Sequence, residues 1–473
     1  MNLLRKAAIA AIASSGLFLS GCGSYFRPVA NVIPLPGGNP TVNDTMTVLN
    51  QNLMASQSGS FTFINVAGDT NVGNFPGQSS GVSFLNQNMT LPLTTPLVTF
   101  GGGNAVVATV NPGDGTPGSS SLAITTALTT IPVIVSLPTG SSPISVAATA
   151  GSSGLILVSL TGDTVDCPPL GGAVGIIQAS NSVLNSVVCM PSANPGFILV
   201  LPGDQKALVL DKIAGSATFI INIPSVTSAT VSTTLTVGAS PVWAATSVDG
   251  HTAYVLNQGS SSISVIDAVG ESVTTLSVPT GGTSPSVIVA DHIQNRLYVS
   301  NTASNNVSVF DASVTPIALL TSANPNPVPL NAGAHPIALA VSGSNIYVAN
   351  TGLNFANIIN ANTLAVSAQT IKPIPLASAS LVTWVAVSQD GTKAYVSAYD
   401  PVGGYPIADG TVIGPDAANT TVILSTSTNA VITDIPSPPQ NMDPNTDACL
   451  ANPTFDNCKA VAKQRPLQIV PRI

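Results

Sequence analysis

His251, His292 and His335 are the chain's three histidines, and three imidazoles are a familiar nitrogen set for a catalytic zinc ion. They stand at three different positions of a repeat that runs through the chain, so symmetric stacking of the repeats would not bring them to one point. Gly77-Gln-Ser-Ser-Gly81 satisfies the G-x-S-x-G pattern of a nucleophilic serine. A nucleophile elbow needs a strand before it and a helix after it, whereas strand-like Val82-Ser-Phe-Leu85 follows here. Asp443-x-Asn445-x-Asp447 opens like a calcium loop. Ala448 replaces its turn glycine and Thr454 its bidentate glutamate, which excludes an EF-hand and leaves only a looser oxygen site. With no Walker loop and no C-x-x-C-H segment, the residues imply no cofactor and no defined metal site.

Composition points to strands. The chain is 44% hydrophobic but only 4% aromatic and 7% charged, with 40 Gly and 38 Pro among 473 residues. That mixture favours many short strands and turns over helices. Such a length exceeds an ordinary single core, so several domains or a repeat array are expected. The net charge is −8, which argues against nucleic-acid binding through phosphate neutralisation.

The first residues read as an address. Arg5 and Lys6 precede the apolar run 7–19, which is too short to span a bilayer. Leu19-Ser20-Gly21-Cys22 follows, and it resembles the bacterial lipoprotein signal. The resemblance implies cleavage of residues 1–21 and lipidation of Cys22, with three acyl chains holding the protein to a membrane. At about 0.8 kcal/mol per buried CH₂, three chains are effectively permanent. Gly23 rather than Asp at the next position implies, by the same resemblance, the outer membrane, on its periplasmic or its outer surface. The other four cysteines form two sequence-local couples, and in an oxidising compartment the simplest pairing is Cys167–Cys189 and Cys449–Cys458. Neither spacing is the close one of a zinc site.

The elements that would position any site come from the repeat. Tyr254-Val-Leu-Asn, Tyr298-Val-Ser-Asn, Tyr347-Val-Ala-Asn and Tyr395-Val-Ser-Ala align. Asp267, Asp311 and Asn360 stand 13 residues after the first three tyrosines, and Pro241, Pro285 and Pro336 stand 11 to 13 before them. Each unit reads as four strands; in 241–284 these are 242–247, 252–257, 262–267 and 272–278. A lone sheet of this size cannot bury both faces, and radial stacking of units solves that. The expected fold is therefore all-β, a β-propeller of four-stranded antiparallel blades, seven by the count of unit starts near 79, 143, 195, 241, 285, 336 and 381. Eight is the alternative if residues 59–73 and a C-terminal strand in "PLQIVPRI" complete one more. The expected layout is a signal peptide at 1–21, the lipidated cysteine and a Pro/Gly-rich tether at 22–44, the propeller at 45–435 and an irregular tail at 436–473 with a closing strand.

At these residues the chain resembles the Tyr-Val-Thr-Asn (YVTN) repeat β-propeller family of bacterial and archaeal surface proteins. The likeness is good over 241–435 and weaker before it. It implies a fold and no particular activity, since related propellers include binding modules and lactonase-like enzymes. In such a fold the first strand of each blade is innermost, and the loop entering it shares a face with the loop between the second and third strands. In the last unit that second loop is expanded over 398–420 and carries Tyr399, Asp400, Tyr405, Asp409 and Asp416. Trp243 and Trp384 each precede a repeat tyrosine by 11 residues, so they occupy one repeat position. They either pack between blades or face each other across the channel mouth. Trp243, Trp384, Tyr399, Asp400 and Tyr405 are thus the candidate binding residues. The expected role is a lipid-anchored binding or scaffold module for an envelope protein or polysaccharide, touching the membrane through its anchor only. The alternative is a propeller lactonase or hydrolase whose metal is held by three or more of Asp163, Asp204, Asp400, Asp409 and Asp416.

Overall fold

The computed structural model describes residues 45–51, 60–76, 97–98, 105–111, 120–125, 133–149, 154–368, 381–388, 390–403, 405–406, 412–414, 416–438 and 462–471. Cys22, the tether, Gly77–Gly81, Asp409, Cys449, Cys458 and Asp443–Asp447 lie outside them. Among the described residues there is no helix, and the strands form eight antiparallel sheets of four or five strands plus one two-stranded hairpin. Sheet I joins Thr45–Gln51, Ser60–Asn65 and Thr70–Pro76 to the C-terminal strand Arg465–Pro471, and sheet II holds four strands between Leu97 and Ser136. Sheets III to VIII follow in chain order, with first strands Ser142–Ala148, Pro195–Val200, Pro241–Thr246, Pro285–Asp291, Pro336–Ser342 and Leu381–Val387. Sheet V has strands at 241–246, 252–257, 262–267 and 272–279, within a residue of those read from the repeat.

Burial explains the sequence pattern. The second and third strands of sheet V, "TAYVLN" and "SISVID", are buried almost throughout because neighbouring sheets cover both faces. Its fourth strand holds only exposed and half-buried positions, and it is richer in Ser and Thr than the middle strands. The repeat Asp or Asn closes the next turn. Asp267 Oδ1 accepts from the amides of Val269 (2.9 Å) and Gly270 (3.1 Å), and Asn360 Oδ1 does the same for Asn362 and Thr363 at 3.0 Å each. The repeat tyrosines are core: Tyr298, Tyr347 and Tyr395 are fully buried, each packed in the cluster shared with the following sheet.

Each sheet shares a core with its successor from sheet II to sheet VIII, and sheet VIII shares one with sheet I. From sheet III onward the first strands of successive sheets pack side by side, and Arg465–Pro471 takes that role in sheet I. Two recurring contacts tie the sheets together. Near the start of the first strand, Ser286 of sheet VI donates to Pro336 O of sheet VII (3.3 Å), and Thr383 of sheet VIII donates to Pro466 O (2.7 Å). At the other end, the first residue of the second strand reaches the next sheet. Lys206 meets Glu271 at 2.7 Å, Arg296 donates to Ala361 O, Asn345 donates to Thr426 O (3.0 Å), and Lys393 meets Asp69 at 2.6 Å.

Candidate functional site

A register shift sits between Pro241 and Trp243 on the first strand of sheet V, and another between Val382 and Trp384 on sheet VIII. Such a bulge re-aims the residue that follows it. The two indoles come from sheets that are not sequence neighbours, yet their ring centroids are 6.4 Å apart at an interplanar angle of 47°. Phe197, from the first strand of sheet IV, lies 4.5 Å from Trp243 at 30°. All three rings are half-buried. Both tryptophans also pack against inter-sheet cores, so they wedge between sheets as well as touching each other. Tilted aromatic pairs of this kind contribute about 0.5–1.5 kcal/mol beyond area burial.

The loops around this cluster form one face. The loop entering each first strand is hydrogen-bonded to the loop between the second and third strands: Gln258 N to Ser240 O at 2.9 Å, Thr302 N to Ser284 O at 3.1 Å, Thr351 N to His335 O at 3.2 Å. Beneath them, the repeat asparagines anchor the turns. Asn257 Nδ2 donates to Ser264 Oγ (2.9 Å), Asn301 Nδ2 to Ser308 Oγ (2.8 Å) and Asn350 Nδ2 to Asn357 Oδ1 (2.8 Å). Asn50 does the same to Thr62 Oγ1 at 2.9 Å, which makes Thr47-Val48-Leu49-Asn50 a repeat motif with Thr in the tyrosine's place. That match was available in the sequence, and so was Pro466 as the repeat proline of sheet I.

The expanded loop after Tyr399 is anchored at both ends. Asp400 is fully buried, and its Oδ1 accepts from Val402 N (3.1 Å) and Gly403 N (3.0 Å). Arg465 donates to both carboxylate oxygens of Asp416, at 2.7 and 3.1 Å, and lies 4.6 Å from the Tyr399 ring centroid. Asn419 Nδ2 donates to Lys463 O (3.0 Å) and Gln464 O (3.2 Å). Tyr399, Asp400 and Asp416 therefore surround the anchorage of the C-terminal strand. Tyr405 pairs with Ile413 in the small hairpin of the loop.

The described acidic residues do not converge. Asp163 lies on the tryptophan face, where its Oδ1 accepts from Asp166 N (3.1 Å) and burial pushes its carboxyl up. Asp204 is in the loop between the first and second strands of sheet IV, at the opposite end. Among the described residues no three of His, Cys, Asp or Glu gather as metal ligands. His335 Nδ1 is 3.3 Å from Thr302 O on the tryptophan face, while His251, 3.3 Å from Asp249, is at the other end. His292 also lies there, in a cleft of about 140 Å³ lined with Asp249, Asp291 and Arg296. Cys167 and Cys189 form a disulfide that ties the loop after the second strand of sheet III to the end of its fourth.

No family model and no curated protein matches the chain. Solved structures do. Dihydro-heme d1 dehydrogenase NirN, solved in complex with DHE, is 14% identical over 87% of this chain and 77% of its own, with TM-score 0.60. Apo AztD from Citrobacter koseri is 11% identical over 91% of this chain and 99% of its own, with TM-score 0.51. At these identities the likeness shows the fold alone: a β-propeller.

Proposed function

We propose that this chain is a lipid-anchored propeller of the cell envelope, a member of the YVTN-repeat group, that acts as a binding module. Its eight sheets close as an eight-bladed ring in which sheets I and II are also neighbours. Its anchor is Cys22 and its address the outer membrane, as the signal at 1–22 implies. Its ligand site is the face bearing Trp243, Trp384 and Phe197, and its partner is an envelope polysaccharide or protein. The contact between Trp243 and Trp384 carries this reading, because it brings side chains of non-successive sheets together at the loop-bearing end. The scattering of the described acidic and histidine residues supports binding over metal-assisted hydrolysis.

The test is capture of envelope material by the full chain and by a Trp243→Ala, Trp384→Ala double variant of unchanged circular dichroism. Loss of capture in the variant is expected. Equal capture by both would place the site elsewhere.

A further inference from the structure

We infer that the tryptophan face takes an uncharged, hydroxyl-rich polymer, the pyranose chain of a neutral polysaccharide, across the sector of sheets V to VII. This inference rests on the proposed binding role and names its ligand class.

Three observations converge. First, the loops of that sector are 237–240, 258–261, 280–284, 302–305, 330–335 and 351–356, and they contain no Asp, Glu, Lys or Arg. The charges of these sheets sit at the opposite end, where Lys206 pairs with Glu271 and where Asp249, Asp291 and Arg296 line the cleft. Lys212 of sheet IV reaches the edge of the sector, donating to Gln258 Oε1 (3.2 Å), but the sector's own loops offer a phosphate-bearing or uronic-acid ligand no counter-charge.

Second, none of the exposed large apolar side chains belongs to those loops. The ones at this end, Val165, Leu170, Ile213 and Val402, are on sheets III, IV and VIII. Outside the aromatic cluster, the sector thus lacks exposed apolar anchors for a protein interface. What it offers are neutral donors and acceptors such as Ser260, Thr283, Asn331 and Asn354.

Third, the half-buried Phe197–Trp243–Trp384 cluster supplies a broad aromatic surface beside these hydroxyls and carboxamides. A pyranose has the matching duality: a C–H face that lies on an aromatic ring, and a rim of neutral hydroxyls. Aromatic rings in binding sites supply contact area at little conformational cost, while a few neutral polar groups set orientation.

The chain has only two tryptophans, and both are in this cluster, so intrinsic fluorescence reads the site alone. The experiment titrates the full chain with dextran and yeast mannan, both neutral, and with alginate, an anionic contrast. A saturable change in tryptophan emission with at least one neutral glycan is expected. It should persist when salt rises from 50 to 500 mM, and the bound glycan should shield the indoles from acrylamide. Trp243→Phe should keep binding within a fewfold, and Trp384→Ala should weaken it at least tenfold. Acrylamide shielding of the native protein needs no variant and so stands if Trp384→Ala misfolds. Response to alginate alone, salt-sensitive binding, or no response to either neutral glycan would overturn the inference. If both glycans fail while the double variant still loses envelope capture, the ligand class is wrong and the binding face stands. Capture that is equal in both proteins would sink both.

Discussion

Asn301 shows why the repeat ends in asparagine. Its carboxamide donates to Asn306 Oδ1 and Ser308 Oγ, both at 2.8 Å, and so clips the turn between second and third strands. Gly282 lies against it so closely that a Cβ there would come within 2.5 Å of Asn301 Cγ. Asn301→Ala is expected to cost about 1–3 kcal/mol, because partners are left unmade in the interior. Gly282→Ala is expected to cost about 1–3 kcal/mol by overpacking. The double variant should cost clearly less than the two together, since removing the carboxamide opens room for the new methyl. Urea denaturation of the four proteins checks this, and simple additivity would contradict the contact. Lys463 gives a second prediction at this scale. Burial lowers its ammonium to about 8, with the Asp434 carboxylate pulling the other way. An unfolded lysine keeps its proton to about pH 10.4, so between these values the unfolded state holds more protons and stability rises with pH. The stability of the native protein relative to Lys463→Met should therefore increase from pH 8 to pH 10. A difference that stays flat would contradict the buried ammonium.

Among the elements, the C-terminal strand is pinned at its start by well-placed groups. Arg465 meets Asp416 through two hydrogen bonds, with the Asp416 side chain only 8% exposed. Removing the guanidinium leaves a buried carboxylate without its cation. Arg465→Ala is expected to cost about 3 kcal/mol and to speed amide exchange in Arg465–Pro471 before the rest of the fold. Uniform exchange across all sheets would show that this strand is not a separate unit. The strands of sheet V were legible because buried middle strands, turn residues and a fixed tyrosine all gave the same answer locally. Sheet I was only half legible. Its repeat proline and its repeat asparagine stand at opposite ends of the chain, and Thr47 replaces the tyrosine that marks the other units. The anchorage of the expanded loop was not legible, because Asp416 gives no sign in the sequence that its partner is Arg465. The tryptophans share a repeat position on paper, and the bulge after the repeat proline recurs in sheets III to VII, but whether the two rings touch depends on how non-successive sheets are placed, which no local pattern encodes.

At the scale of the whole molecule, the split composition of sheet I decides how the proposed ring would be held. Strand Arg465–Pro471 pairs antiparallel with Thr45–Gln51, placing Met46 opposite Pro471. The last sheet is joined to this composite sheet by a shared core, by Thr383 on Pro466 O and by Lys393 on Asp69. A chain that ended at residue 461 would leave the edge of Thr45–Gln51 unpaired and the core facing sheet VIII open. That protein is expected to lose cooperative unfolding, since a ring without its closing strand exposes two sheet faces and an edge. Circular permutation tests the same geometry without removing any described strand. Because Met46 faces Pro471, a linker of about four residues from 471 to 45 would turn sheet I into a continuous unit, like the others in topology. A permutant that starts near residue 97, runs to 471 and continues through 45–76 should fold and melt at least as high as the unpermuted ring. Its advantage would come from making local a pairing that now spans the whole chain. If it gives instead a soluble but non-cooperative protein, with the Trp243–Trp384 emission of an unfolded chain, the closed ring proposed here is wrong.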